Sequence, residues 1–172
     1  RSGRHRTEPG AIAGKHRETA SRQSFQQFAF ALHNGGRAAE RAEMRFADPE
    51  EAARGSAHFL EALLAQGTTS AAVFPTVHKV AAEALFSAAA SRGMRIITGK
   101  VLMDRHAPEA LRDDVAQAER DCVELIERWH GQGRLAYALT PRFAPTSTPQ
   151  QLAMTGALMA AHPGTYMQTH VA

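Results

Sequence analysis

The stretch Leu135-Ala136-Tyr137-Ala138-Leu139-Thr140-Pro141-Arg142-Phe143 decides how the chain is interpreted. Its first part is apolar throughout, which predicts a short strand that is buried on both faces. Pro141 ends this strand, because proline cannot donate the next hydrogen bond of the ladder. Arg142 and Phe143 follow directly, so a guanidinium and an aromatic ring stand at the carboxyl end of the strand. In parallel α/β proteins, ligand-binding side chains gather at that end.

A second strand is predicted over residues 165–170. His170 stands at its carboxyl end and is a potential zinc ligand. A lone histidine in such a position is more often simply hydrogen-bonded, so both interpretations stay open. The two strand ends together predict a site.

Helix signals alternate with strand signals along the rest of the chain. Asp48-Pro49-Glu50-Glu51 and Thr148-Pro149-Gln150-Gln151 each combine an N-cap residue, a proline and a capping box. Pro108-Glu109 predicts the start of a long helix. Its expected buried stripe is Leu111, Val115, Ala118, Cys122, Leu125, Ile126 and Trp129. In the last helix, the residues expected to face the core are Leu152, Leu158 and Met159.

This alternation predicts an α/β fold. Strands separated by helices of ten or more residues imply right-handed βαβ units and a parallel sheet. Four such units are half of a (β/α)8 barrel, which takes about 250 residues. A small complete open sheet is the alternative. We therefore expect a partial barrel of about four βα units or an open sheet.

Composition indicates an ordinary globular domain, with 44% hydrophobic and 22% charged residues. No apolar run approaches the ~18–20 residues that cross a bilayer, and the first residues lack a signal-peptide core. The single cysteine, Cys122, excludes an internal disulfide and is expected to pack in the core. We therefore expect a cytoplasmic protein without a membrane partner.

Charge divides the chain in two. Residues 1–42 contain eight Lys and Arg against three Asp and Glu, whereas residues 43–172 contain twelve against fourteen. The first segment has little apolar periodicity, so we expect it to be poorly ordered and foreign to the domain formed by residues 43–172. It also lacks the dense basic runs with interleaved aromatic residues that favour nucleic acid, so such a partner is not expected.

Each candidate site residue also has an ordinary structural interpretation. Arg142 suits either a substrate anchor or a salt bridge at a strand end, and Phe143 either stacks on a ring or joins the core. Polar residues also follow two other predicted strands, where binding residues gather but loop polarity alone explains them: Thr76, His78, Asp104, Arg105 and His106. The sequence contains no His-x-His, His-Glu-x-x-His or Cys-x-x-Cys motif and no phosphate-binding Gly-rich loop.

From about Glu43 onward, the chain resembles the middle of guanine deaminases of the amidohydrolase superfamily. The resemblance is carried by several stretches in a fixed order, which are Met44-Arg45-Phe46-Ala47-Asp48-Pro49, Gly67-Thr68-Thr69, Thr76-Val77-His78, Gly99-Lys100-Val101-Leu102-Met103-Asp104, Thr140-Pro141-Arg142-Phe143 and Gln168-Thr169-His170-Val171. Gly-Thr-Thr is common to many amidohydrolases, whereas the last three stretches in this order are more specific.

The resemblance implies a distorted (β/α)8 barrel that uses zinc to convert guanine and water to xanthine and ammonia. It implies that Arg142 binds the purine carbonyl oxygen, that Phe143 packs on the ring and that His170 is a zinc ligand. The family's His-x-His pair should lie in the region of residues 1–42 and is absent there. The catalytic glutamate is expected beyond Ala172, so no catalytic acid or base is assigned here. We therefore expect no turnover by this chain alone.

Two other functions fit the sequence. The first is a related amidohydrolase that acts on another purine or on a triazine. The second is a non-catalytic module in which residues 1–42 form a basic interaction arm. Because a half barrel exposes sheet edges and apolar faces, we also expect association into a homo-oligomer.

Overall fold

The predicted alternation of helices and strands is confirmed in the computed structural model, which describes residues 37–171. Short 3-10 helices also occur at Arg45–Ala47, Glu109–Leu111 and Ala144–Thr146. The helices and strands, numbered along the chain, are α1 (Arg37–Met44), α2 (Pro49–Ala65), β1 (Ser70–Val73), α3 (Lys79–Ser91), β2 (Arg95–Thr98), β3 (Val101–Leu102), α4 (Val115–Trp129), β4 (Ala136–Pro141), α5 (Pro149–Ala161) and β5 (Tyr166–Met167).

All strand pairs of the sheet are parallel. Strand β1 pairs with β2, both β2 and β3 pair with β4, and β4 pairs with β5. Ile97 of β2 lies opposite Ala136, and Val101 of β3 lies opposite Thr140, so β2 and β3 keep one register against β4. They are one strand with an interruption. Each strand therefore lies beside its predecessor, which is the order of a barrel wall rather than of a doubly wound sheet.

The interruption between β2 and β3 falls at Gly99 and Lys100. The Gly99 backbone lies so close to β4 that a Cβ there would stand 1.9 Å from the carbonyl oxygen of Ala138. Only glycine fits such an approach, because any side chain would collide with backbone. This close packing accounts for the break between β2 and β3.

A side-chain hydrogen bond shows that the sheet is curved. The Gln168 amide, just after β5, donates to the carbonyl oxygen of Val73 in β1 at 2.9 Å and to Thr140 Oγ1 at 3.1 Å. Neighbouring strands lie about 4.8 Å apart, so three flat spacings would separate β5 from β1 by roughly 14 Å. A glutamine side chain cannot span that distance. The four-stranded wall therefore curls as in a barrel, which confirms the predicted α/β partial barrel over the open sheet.

Strand β4 is the centre of the core. All six of its residues are buried, as the sequence predicts. Cys122 is completely buried beneath it, which confirms its predicted place in the core. Burial raises the pKa of its thiol to about 11. The largest buried side chains around β4 are Leu60, Leu85, Phe86, Ile96, Leu102 and Leu125.

The predicted start of the long helix at Pro108 is wrong. Helix α4 begins at Val115, and the Asp114 carboxylate caps it by accepting a hydrogen bond from the Gln117 N–H at 2.9 Å. Asp113, the residue before this cap, turns its carboxylate inward, where it accepts a hydrogen bond from the Met103 N–H at 2.9 Å. That inward turn separates the preceding 3-10 helix from α4.

Both predicted N-caps are confirmed, but neither capping box is complete. Asp48 accepts hydrogen bonds from the N–H groups of Glu50 and Glu51 at 2.7 and 3.3 Å, and Thr148 accepts one from Gln151 at 3.2 Å. The Glu51 side chain forms ion pairs with two arginines instead of returning to the cap. Gln151 is buried, and its amide donates to Asp113 at 3.2 Å.

The prediction that Leu152 and Met159 face the core is wrong, since each is 41% exposed. Leu158 is buried as predicted, and helix α5 also buries Met154 and two polar residues, Gln151 and Thr155. The Gln151 amide donates to Asp113, and the Thr155 hydroxyl donates to the Gln151 carbonyl. Hydrophobicity alone does not identify such a face.

The predictions for residues 1–36 lie outside the described residues, and residues 37–42 belong to α1. Between residues 37 and 171, no helix is both long and apolar enough to cross a membrane.

Candidate functional site

Backbone hydrogen bonds bring Arg142 and His170 together at the carboxyl edge of the sheet. The Arg142 N–H donates to the Leu102 carbonyl at 3.0 Å, and the His170 N–H donates to the Arg142 carbonyl at 2.9 Å. The first bond belongs to the parallel pairing of β3 with β4, and the second joins the segments that follow β4 and β5. The two residues that the sequence predicts as anchor and metal ligand are therefore fixed side by side.

The Arg142 side chain forms a salt bridge with Glu43 of α1. Its Nη1 atom donates to Glu43 Oε2 at 2.9 Å, and the Arg142 and Glu43 side chains are 27% and 7% exposed. The salt-bridge interpretation of Arg142 is thus observed. A guanidinium carries five N–H donors, and within residues 37–171 the Arg142 side chain has Glu43 as its polar partner. The ion pair therefore leaves donors available for a ligand.

His170 is exposed and stacks on Phe74, which follows β1. The ring centroids are 4.4 Å apart and the ring planes differ by 12°. This contact again joins the two outer strands of the curved wall. Among residues 37–171, no three His, Cys, Asp or Glu side chains are grouped so that they could hold a metal. A catalytic zinc takes about three protein ligands, so the described residues do not by themselves form a zinc site.

Phe143 is half-buried in an extended conformation, with φ −171° and ψ 165°. Its carbonyl oxygen accepts hydrogen bonds from both the N–H and the hydroxyl of Thr146, each at 3.1 Å. The backbone of Phe143 is therefore fixed at the start of the short helix Ala144–Thr146. The predicted packing of its ring on a base stays a prediction.

The polar residues after β3 hold the loop that follows β4. Asp104 accepts hydrogen bonds from the N–H and hydroxyl of Thr148, and Arg105 donates to the Ala144 carbonyl at 3.0 Å. His106 is exposed and has a φ of 52°. Asp104 and Arg105 thus serve as structural supports beneath the site.

His78, at the N-terminus of α3, lies in the electrostatic field of Glu43. Burial lowers the pKa of His78, the nearby Glu43 carboxylate opposes that shift, and Lys100 adds to it. The net effect is a lowered pKa, which favours the neutral form of the imidazole. The sequence indicates His78 as a loop candidate but gives no sign of Glu43, whose partner Arg142 lies 99 residues further along the chain.

A second ion pair, Lys100 with Asp113, lies inside the protein below the site. The side chains are 4% and 8% exposed. Burial raises the pKa of the Asp113 carboxyl, and the Lys100 ammonium opposes that shift. The carboxylate also accepts hydrogen bonds from the Met103 N–H and the Gln151 amide. This pair fixes the end of β3, and no local sequence pattern indicates it.

The sequence model of the amidohydrolase family matches residues 17–172, so the chain belongs to the amidohydrolase family. This match begins within residues 1–42, the segment predicted to be foreign to the domain. The family assignment and the parallel, barrel-ordered sheet agree with each other.

Similarity to particular members is high within this region. The chain is 51% identical over 129 residues to a guanine deaminase of Escherichia coli K12. The matched region covers 75% of this chain and 29% of that relative. The E. coli guanine deaminase structure matches with a TM-score of 0.75 and 50% identity, over 76% of this chain and 31% of that one. A probable guanine deaminase of Deinococcus radiodurans is 37% identical over 129 residues, covering 75% and 29%.

The crystal structure of guanine deaminase from Bradyrhizobium japonicum matches with a TM-score of 0.81 and 34% identity, over 86% of this chain and 33% of that one. These similarities confirm the predicted resemblance to guanine deaminases. The chain spans 29% of the length of the two curated relatives named above.

Proposed function

We propose that this chain provides the guanine-binding wall of a zinc-dependent guanine deaminase, which converts guanine and water to xanthine and ammonia. The observation that carries the proposal is the hydrogen bond from the His170 N–H to the Arg142 carbonyl at 2.9 Å. This bond joins the backbones of Arg142 and His170 at the edge of a barrel wall, which is where ligands bind in such folds. The identity of 51% to a guanine deaminase supports guanine over another purine or a triazine.

Arg142 binds the carbonyl oxygen of the purine in this proposal. A guanidinium held by Glu43 on one side keeps donors for a ligand, and a charge-assisted hydrogen bond to a carbonyl is stronger than a neutral one. Phe143 follows Arg142 in the chain and supplies an aromatic face for the flat purine ring. The wall thus contributes orientation and recognition of the base.

His170 is proposed as one ligand of the zinc ion. Its exposed imidazole is oriented by the stack on Phe74, and neutral imidazole is a common zinc ligand. Because the described residues lack two further ligands near it, the remaining ligands and the general acid–base group would come from other parts of an enzyme. We therefore expect the purified chain to bind zinc weakly and to produce no xanthine.

A cytoplasmic location and a role in purine catabolism belong to the same proposal. The free, buried Cys122 is compatible with a reducing compartment. Association into a homo-oligomer stays a prediction, which light scattering of the purified chain checks directly.

A chimeric enzyme tests the proposed function. Residues 37–171 replace the structurally matched third of the B. japonicum guanine deaminase, so that the host supplies the rest of the barrel. We expect the chimera to produce xanthine from guanine and the Arg142→Ala variant to lose about 10- to 100-fold in kcat/KM, the cost of one charge-assisted hydrogen bond. A folded chimera that contains zinc but does not act on guanine would contradict the proposal.

A further inference from the structure

Glu43 is almost completely buried, although its ion pair with Arg142 uses only one carboxylate oxygen. The residue is 5% exposed, and only one of its two carboxylate oxygens, Oε2, receives a hydrogen bond from Arg142. The other, Oε1, is buried and has no hydrogen-bond partner among the residues that the structure describes. Burying a carboxylate oxygen without a partner costs free energy, so such an atom calls for a functional explanation.

His78 has an unpartnered atom in the same region. Its Nε2 atom is buried and lacks a hydrogen-bond partner within residues 37–171. Val77, next to His78, packs in the same apolar cluster as Met44, next to Glu43, and the Glu43 carboxylate acts electrostatically on the imidazole. Arg142, Glu43 and His78 thus form one polar cluster at the carboxyl edge of the sheet, with two buried atoms still unsatisfied.

The ion pair in this cluster carries no net charge, because the guanidinium of Arg142 and the carboxylate of Glu43 cancel. An unpaired arginine attracts anions such as carboxylates and phosphates. Pairing with a carboxylate removes most of that attraction but leaves the other N–H donors in place. A neutral carbonyl oxygen therefore gains from this arginine, whereas an anion gains much less.

We propose that Glu43 makes Arg142 select a neutral oxopurine over an anionic one. This inference rests on the proposed function, in which Arg142 binds the carbonyl oxygen of guanine. Guanine is neutral at pH 7, whereas a more oxidised purine such as urate is an anion. Glu43 acts on the base through Arg142, so it is a positioning residue that determines specificity and not a catalytic residue.

The chimera described above provides the test, with two competitive inhibitors that both carry a purine carbonyl. Hypoxanthine is neutral and urate is anionic. Glu43→Gln keeps the shape of the side chain and removes its charge. We expect the ratio of the urate to the hypoxanthine inhibition constant to fall about tenfold in this variant. Glu127→Gln removes the same charge from an exposed position on α4 and should leave the ratio unchanged.

The outcomes separate the inference from the proposed function. If Glu43→Gln retains guanine turnover and the inhibition ratio equals that of the unsubstituted chimera, the inference is wrong and the proposed function stands. If the unsubstituted chimera is inactive on guanine, both fail.

A second measurement covers a Glu43→Gln variant that does not fold. If Arg142 acted as an unpaired cation, added salt would screen its attraction for an anion. Inhibition of the unsubstituted chimera by urate would then weaken steeply as the salt concentration rises. If Arg142 is neutralised by Glu43, the inhibition constants of urate and hypoxanthine should change alike with salt. A steep change for urate alone would overturn the inference.

Discussion

Two ion pairs support the same edge of the sheet, and they differ in how completely their atoms are bonded. Asp113 accepts hydrogen bonds from Lys100, the Met103 N–H and the Gln151 amide, and both charged side chains are almost fully buried. Glu43 bonds to Arg142 through one oxygen, and the Arg142 side chain is 27% exposed. The completely bonded pair stabilises the wall, whereas the incompletely bonded pair has capacity left for a ligand.

The largest effect is expected from Asp113→Ala in the full chain. The substitution leaves the Lys100 ammonium buried without its partner, and breaking a buried pair costs about 3–5 kcal/mol of unfolding free energy. Urea denaturation followed by circular dichroism measures the change. Glu127→Ala, at an exposed position, should change the free energy by less than about 0.5 kcal/mol. A loss of similar size in both variants would show that the internal pair is not structural.

A smaller loss of stability is expected from Arg142→Ala. This substitution leaves the Glu43 carboxylate buried and unpaired, but water can enter from the exposed side of Arg142 and replace part of the interaction. We expect a loss of about 1–3 kcal/mol in the same urea experiment. If Arg142→Ala destabilises the chain more than Asp113→Ala does, the distinction between the two pairs is lost.

The sequence predicts the central wall well, because local patterns determine it. The apolar run from Leu135 to Leu139 and the proline after Thr140 indicate β4 and its end. Since the carboxyl ends of parallel strands meet at one edge, the sequence also predicts that Arg142 and His170 come together. Each of these inferences needs only a few neighbouring residues and the general geometry of a parallel sheet.

The ion pairs could not be predicted in the same way. Glu43 and Arg142 are 99 residues apart, and no local pattern links an acidic residue of α1 to the end of β4. Lys100 sits where β2 and β3 are interrupted, a break caused by the close approach of Gly99 to β4. The buried face of α5 could not be predicted for a related reason, since this helix buries Gln151 and Thr155 while Leu152 and Met159 are exposed. Such choices depend on tertiary contacts.

The pH dependence of stability tests the environment of His78. Its folded pKa lies below the ordinary 6.5, so the unfolded chain binds a proton that the folded chain resists. The stability from this group is present above pH 6.5 and is lost as pH falls through the lower folded pKa. The charges acting on His78 are Glu43, which raises its pKa, and Lys100, which lowers it.

His78→Gln should therefore reduce the loss of unfolding free energy between pH 7 and pH 5, measured by urea denaturation at each pH. His106→Asn is the matched control, because His106 is exposed and asparagine tolerates its positive φ. If His78→Gln does not change how the unfolding free energy depends on pH, His78 is exposed to water and does not belong to the polar cluster.

The most direct measurement is the kcat/KM of the Arg142→Lys chimera on guanine. Lysine keeps the positive charge and the ion pair with Glu43 but lacks the planar set of donors that an arginine offers to a carbonyl. If the pair at the sheet edge serves recognition, the unfolding free energy should stay within about 1 kcal/mol of the parent chimera, while kcat/KM falls about 10- to 100-fold. Unchanged kcat/KM would show that Arg142 serves only as a structural cation.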